Sequence, residues 1–149
     1  MSLSSVFLIA GSGMSAQCTR LNTISSNIAN AETVSSSIEE TYRARRPVFA
    51  TVFAENLKNN GSQPSLFAEY DQAGKGVQVR GIVEDQDELQ MRYEPDHPAA
   101  NDQGYVFYPN VNVVEEMADM MSASRAFQTN VEMMNTAKQM MQRVLTLGQ

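Results

Sequence analysis

Phe7, Met14, Leu21 and Ile28 recur at intervals of seven, and Ala10, Gln17, Ile24 and Ala31 fill the interleaved positions three residues later. An apolar line that returns every 3.5 residues over about four heptads is the seam of a long helix that requires another helix beside it. The end of the chain carries a second such pattern. From 111 onward, Val113, Met120, Phe127, Met134 and Met141 form one line, and Met117, Ser124, Val131, Lys138 and Leu145 form the other. A helix of about 37 residues extends roughly 55 Å, far more than a mean globular helix. Toward its end Met133, Ala137, Met140, Val144 and Leu147 make a further apolar line, wider than one partner helix covers. Asn112 is placed to cap this helix, Glu115 and Glu116 stand in its first turn, and Gly148 follows its end. In the first helix Gly11 and Gly13 flank the seam, where each costs about 1 kcal/mol relative to Ala but lets a neighbouring helix come close. Gln17 inside the seam fixes register at a cost in stability.

Leu, Ile, Val and Phe make up about a fifth of the 149 residues, barely above the range of disordered chains. Charged residues are only 19%, so Ser, Asn, Gln, Ala and ten Met fill the deficit. Such a chain has surfaces that a partner completes. A net charge of −6 and a pI near 4.7 argue against nucleic acid or an anionic membrane as the main partner. Cys18 and His97 are the only residues of their kinds, which excludes an internal disulfide and the usual zinc sites. No apolar run approaches the roughly 20 residues that span a bilayer. The run 6–10 is too short for a signal-peptide core, and Arg20, the first basic residue, follows it rather than preceding it. If the protein leaves the cytoplasm, it uses another route.

Between 42 and 108 the helical period disappears and ten acids and seven bases accumulate. Turn residues punctuate this part at Asn59-Asn60-Gly61, Gly74-Lys75-Gly76, Pro95-Asp96-His97-Pro98 and Asn101-Asp102-Gln103-Gly104. The segments 46–53, 77–83 and 104–108 are rich in Val, Phe and Tyr and read as strands of a small β-hairpin module, with Glu84, Asp85, Asp87 and Glu88 as a solvated loop or edge. The expected class is α+β. Residues 1–35 and 109–149 form a discontinuous helical coiled-coil domain, and 36–108 a central β-rich module.

Two patterns suggest chemistry, and both weaken in context. Val6-Phe7-Leu8-Ile9-Ala10 followed by Gly11-Ser12-Gly13-Met14-Ser15-Ala16, with Glu32 some twenty residues on, matches a dinucleotide fingerprint. That fingerprint requires a strand before the glycines and β-α units after them, and the pattern here is helical throughout. Cys18, His97 and Asp96 supply a nucleophile and base on paper, but Cys18 reads more simply as a small packing residue and His97 as part of a turn. Arg43, Arg45 and Arg46 form the only basic cluster, a poor phosphate track in a chain of 17 acids and better suited to salt contacts between subunits. Seven of the ten Met fall between 117 and 141, where flexible side chains suit either ordinary packing or inequivalent neighbours.

Ser26-Asn27-Ile28-Ala29-Asn30-Ala31-Glu32-Thr33, closing the first heptad helix, resembles the Asn-x-x-Asn signature of the flagellar rod and hook protein superfamily. Tyr93-Glu94-Pro95-Asp96-His97-Pro98, Gly104-Tyr105-Val106 and Pro109-Asn110-Val111-Asn112 follow in the order seen in its basal-body proximal rod members. Glu116-Met117, Ser122-Ala123-Ser124-Arg125-Ala126-Phe127 and Asn130-Val131 continue that order. Val34-Ser35-Ser36-Ser37 replaces the Thr-Pro-Gly-Tyr of longer members, and Phe127 replaces a frequent Tyr.

The resemblance implies a structural subunit without cofactor, exported unfolded by the flagellar type III apparatus. It would assemble in the periplasm with copies of itself, other rod proteins and a rod-to-membrane-ring adaptor into a drive shaft that transmits torque. Phe7, Met14, Leu21, Ile24 and Ile28 are then expected to pack against Met120, Phe127, Val131, Met134 and Met141, with Met117 and Leu145 completing the second helix. Asn27 and Asn30 are expected as caps or interchain hydrogen bonders. A periplasmic helical adaptor for one partner and a dinucleotide-binding enzyme are the alternatives.

Overall fold

The computed structural model describes residues 3–52 and 76–147; the expected turn at 59–61, most of that at 74–76, the strand end at Phe53 and Gly148 lie outside them. In chain order the elements are α1 (Leu3–Asn30), β1 (Arg45–Thr51), β2 (Val77–Glu84), β3 (Gln90–Tyr93), β4 (Tyr105–Tyr108) and α2 (Val113–Leu147). The α+β class follows from two long terminal helices and two antiparallel strand pairs, β1 with β2 and β3 with β4.

Ser, Thr, Asn and Gly are poor helix formers, yet α1 is continuous for 28 residues. Its hydroxyls turn back onto its own carbonyls: Ser12 donates to Ile9 at 2.8 Å, Thr19 to Ser15 at 3.2 Å, and the buried Thr23 to Thr19 at 2.9 Å. Packing supplies what propensity lacks. The helices run antiparallel, as Gly13 faces Asn130, Arg20 bridges to Asp119 at 2.9 Å, and Asn27 meets Glu116. Asn112 starts α2 as expected: its side chain accepts from the Val114 N–H at 3.1 Å and its carbonyl from the Glu116 N–H at 3.0 Å.

Small residues occupy the centre of the helix pair. Ala10, Ala16 and Ile24 of α1 and Ala123 and Ala137 of α2 are buried. The α2 centre line runs Glu116, Ala123, Asn130, Ala137, one residue before the Met117, Ser124, Val131, Lys138 line read from the sequence. Small side chains let the helix axes approach, and the bulky ones are displaced to the flanks.

The β1–β2 hairpin lies along α1. At one end the Val77 N–H donates to Ser12 Oγ at 3.1 Å, and at the other the Arg45 backbone meets Asn27. Fifteen helical residues rise about 22 Å, which a strand of seven or eight residues matches at about 3.3 Å each. The register shifts between Val48 and Phe49, whose partners are Gly81 and Val79, leaving Arg80 as the extra bulge residue. Gly76, at φ +141°, sits so close to α1 that a Cβ there would collide with the Ser12 hydroxyl.

The β3–β4 pair closes the other end of the molecule. Ser35, just past α1, exchanges both backbone hydrogen bonds with Phe107, at 3.1 and 3.0 Å, so the chain after the helix adds to the free edge of β4. This covers Val106 completely and leads through the buried Pro109 and Val111 into α2. The strand β3 is absent from the sequence reading: every one of its residues is exposed, so no alternation marks it, and pairing with β4 alone makes it a strand.

Candidate functional site

Where α1 ends, β1 begins and α2 starts, four chain segments converge on one side chain. Asn27 is 1% exposed. Its Oδ1 accepts from the Arg45 N–H and the Tyr42 hydroxyl, both at 2.9 Å, and its Nδ2 donates to the Arg45 carbonyl at 2.9 Å. The amide thus pairs with Arg45 as a neighbouring strand would. With its single proton committed to Asn27, the Tyr42 hydroxyl accepts from Ser26 at 3.2 Å. Asn110 links the preceding residue to the acidic run, accepting from the Ala44 N–H at 2.8 Å and donating to the Asp87 carbonyl at 3.3 Å, while the Ala44 carbonyl accepts from the Asp85 N–H at 2.7 Å.

Glu116 brings a charge to this junction from α2 and is itself buried. Burial pushes its carboxyl above the ordinary carboxylate range, a hydrogen bond with Asn27 and the charge of Arg46 pull it back, and Asp119 and Glu115 add to the rise. Asn30 stays local: its Nδ2 donates to the Ser26 carbonyl at 2.8 Å, and its own carbonyl receives the Thr33 N–H at 3.1 Å and hydroxyl at 2.7 Å, which ends the helix.

The three arginines find partners in the same chain. Arg43 donates to the carbonyls of Asp85 and Asp87 at 3.3 and 3.2 Å, Arg45 to Glu84 at 3.1 Å, and Arg46 to Asp85 at 3.1 Å. In the acidic run, read as a solvated loop or edge, the carboxylates of Glu84 and Asp85 are therefore the counter-charges of Arg45 and Arg46. Sequence reasoning missed this pairing and missed Tyr42, Asn110 and Glu116; the antiparallel register of β1 and β2, which sets Arg45 opposite Glu84, is the signal that finds the first.

Phe7, Met14, Leu21 and Ile28 are half-buried along one flank of α1, and Ile24 is buried at the centre. On α2, Met120, Phe127, Val131 and Met134 are half-buried, whereas Met117, Met141 and Leu145 are exposed at 55%, 40% and 67%. These seams therefore are not closed within one chain. Nothing in the glycine region resembles a nucleotide loop, because Gly11 and Gly13 lie inside the continuous α1 with no strand before them. Cys18 is exposed, and His97 Nδ1 accepts from the Ala99 N–H at 3.1 Å, capping its own turn. Among the described residues no His, Cys, Asp and Glu cluster has the form of a metal site, and no helix is long and apolar enough to cross a membrane.

Two family descriptions match the chain at its ends: flagella basal body rod protein over residues 7–34, and flagellar basal body rod FlgEFG protein C-terminal over residues 102–147. The chain is 43% identical over 149 residues to the flagellar basal-body rod protein FlgC of Salmonella typhimurium strain LT2, covering 100% of both. It is equally similar, at 43% over 149 residues and 100% of both chains, to FlgC of Escherichia coli O157:H7. Against FlgC of Borreliella burgdorferi the identity is 37% over 155 residues, covering 100% of this chain and 99% of that protein. The first family match ends just past the Asn27 and Asn30 turn, and the second contains Glu116 and all of α2.

Proposed function

The chain belongs to the FlgC family of flagellar basal-body rod proteins and is a structural subunit of that rod, and from that premise we propose how its parts divide the work. Residues 1–35 and 109–149 form the helical unit that packs against neighbouring subunits in the inner rod, and 36–108 form the module carried outside it. Its contacts are with copies of itself, other rod proteins and a rod-to-membrane-ring adaptor. Their summed packing passes torque along the periplasmic shaft. The chain reaches that site through the type III export apparatus and works there by packing.

One observation carries this reading. The helices meet through small residues and leave Met117, Met121, Met133, Met140, Val144 and Leu145 between 47% and 67% exposed. So much apolar side chain open to water along one helix marks a surface that another protein covers. Heterologous contacts between such faces propagate as a helix instead of closing into a dimer.

A strain in which residues 1–30 are deleted from the chain tests the proposal. Loss of motility and absence of the rod from purified basal bodies are expected; a motile strain carrying the deletion contradicts it. The adaptor alternative predicts instead a saturable one-to-one complex of the purified chain that grows no further.

A further inference from the structure

Met133, Met140, Met141, Val144 and Leu145 form a stripe on the last turns of α2, each between 40% and 67% exposed. At about 100° per residue, Lys138 borders this stripe beside Leu145, and Arg143 borders it beside Met140. Neither cation has an ion-pair partner among the described residues, and no acid follows Glu132 in the chain. The tip of α2 is thus an apolar ridge with a positive charge on each side.

A groove of complementary character lies elsewhere. Ile38, Leu89, Met91 and Phe107 line a cleft of about 340 Å³ with Asp87 and Glu88 on its rim. Ile38 is 53% and Met91 59% exposed. Arg43, the cation of this lining, is turned to the carbonyls of Asp85 and Asp87, and among the described residues the Asp87 and Glu88 carboxylates carry no ion pair.

These two features sit at opposite poles. The groove adjoins the Ser35–Phe107 pairing and the Asn110 contact to Asp87, near the start of α2. The ridge is at the far end of the same 35-residue helix, roughly 30 to 48 Å away at 1.5 Å per residue, so a chain cannot fill its own groove. We propose that the α2 tip of one copy docks into the Ile38, Leu89, Met91 and Phe107 groove of a second copy, head to tail, with Lys138 and Arg143 facing Asp87 and Glu88. This rests on the rod-subunit reading and names one of its partner surfaces. A contact between unlike faces leaves one ridge and one groove free at the ends of every open chain of copies, so it grows by addition instead of stopping at a dimer.

The test uses the purified full-length chain in sedimentation velocity across concentration and salt. The parent is expected to form a concentration-dependent ladder that shortens as salt rises. Leu145→Glu and Met91→Glu, both at exposed positions and checked for folding by circular dichroism, are each expected to remain monomeric. Mixed together they are expected to give a one-to-one dimer and nothing longer, because each retains one intact face. Reversing Lys138 and Arg143 to Glu weakens association about tenfold, and Asp87→Lys with Glu88→Lys in that same chain restores most of it.

A parent that stays monomeric at every concentration, single variants that associate like the parent, or a mixture that yields no dimer overturns the docking. Purified basal bodies separate the two readings. A parent chain present in them while any of those results holds overturns the docking alone, and a parent absent from them overturns the rod reading.

Discussion

At the start of β1 the N–H and carbonyl of Arg45 have no neighbouring strand to pair with, and the Asn27 amide stands in for one. An amide side chain presents a donor and an acceptor side by side, which is what an extended backbone needs and what Ser, Asp or Leu lacks. Replacing Asn27 with Ala removes the partner of the Arg45 N–H and of the Arg45 carbonyl, while the Tyr42 hydroxyl keeps Ser26. Each of the two losses costs about 1 kcal/mol or more, so a total of about 2 kcal/mol is expected from urea denaturation. Glu116 beside it gives a pH signature. Its carboxyl is held above the ordinary 4.5 mainly by burial, so between that value and the raised one the folded state binds more protons than the unfolded state. Stability therefore falls as pH rises through this window. Glu116→Gln, which keeps the shape and a hydrogen-bonding oxygen, is expected to flatten the fall; equal slopes for parent and variant in denaturation curves from pH 4 upward refute the assignment. The Asn-x-x-Asn spacing was legible as a helix-end motif, and Asn30 behaves that way. The role of Asn27 was not, because its partner Arg45 is fixed only when β1 folds back along α1.

At the level of elements, both helices follow from heptad lines that any reader of the chain can trace. Their rotation about the contact does not. Bulky residues at seven-residue spacing predict a Phe, Met and Leu seam, whereas α1 and α2 meet at Ala10, Gly13, Ala123 and Ala137. Two interlocked lines were available on α2, separated by one residue, and hydrophobicity favours the larger side chains. Close approach favours the smaller ones, since Gly13 leaves room for Asn130 where a Cβ would stand 3.0 Å from its Nδ2. Gly13→Leu is expected to push the helices apart and cost about 2 kcal/mol; thermal melting checks this, with Gly11→Ala as the control because nothing lies within 4 Å of a Cβ there. The ion pair of Arg20 and Asp119 crosses the same contact, but its partners are 29% and 50% exposed, so it orients the helices more than it holds them. Strand β3 escaped notice for a related reason: exposed on both faces, it carries no burial pattern for a sequence to display.

The whole molecule has a thin interior and a long apolar flank, and the division of α2 into half-buried and exposed Met makes that measurable. Met121 and Met140 are 60% and 51% exposed, and Met120 and Met134 are half-buried. Mild peroxide treatment of the isolated chain is expected to convert the first pair to sulfoxide faster than the second, and assembly into the rod is expected to protect both pairs. Peptide mass spectrometry reads the difference; unchanged reactivity of Met121 and Met140 in assembled rods counts against α2 as a buried inner element. The sequence by itself determined the two long helices, the Asn112 cap, the β-rich middle and a composition too poor in large aliphatics to close its own surface. These depend on periodicity and local hydrogen bonding, which act within a few residues. Only the tertiary structure decided which helix faces meet, which acids answer the arginines and which partners the Asn27 amide finds, because each of those depends on groups brought together from more than a dozen residues apart.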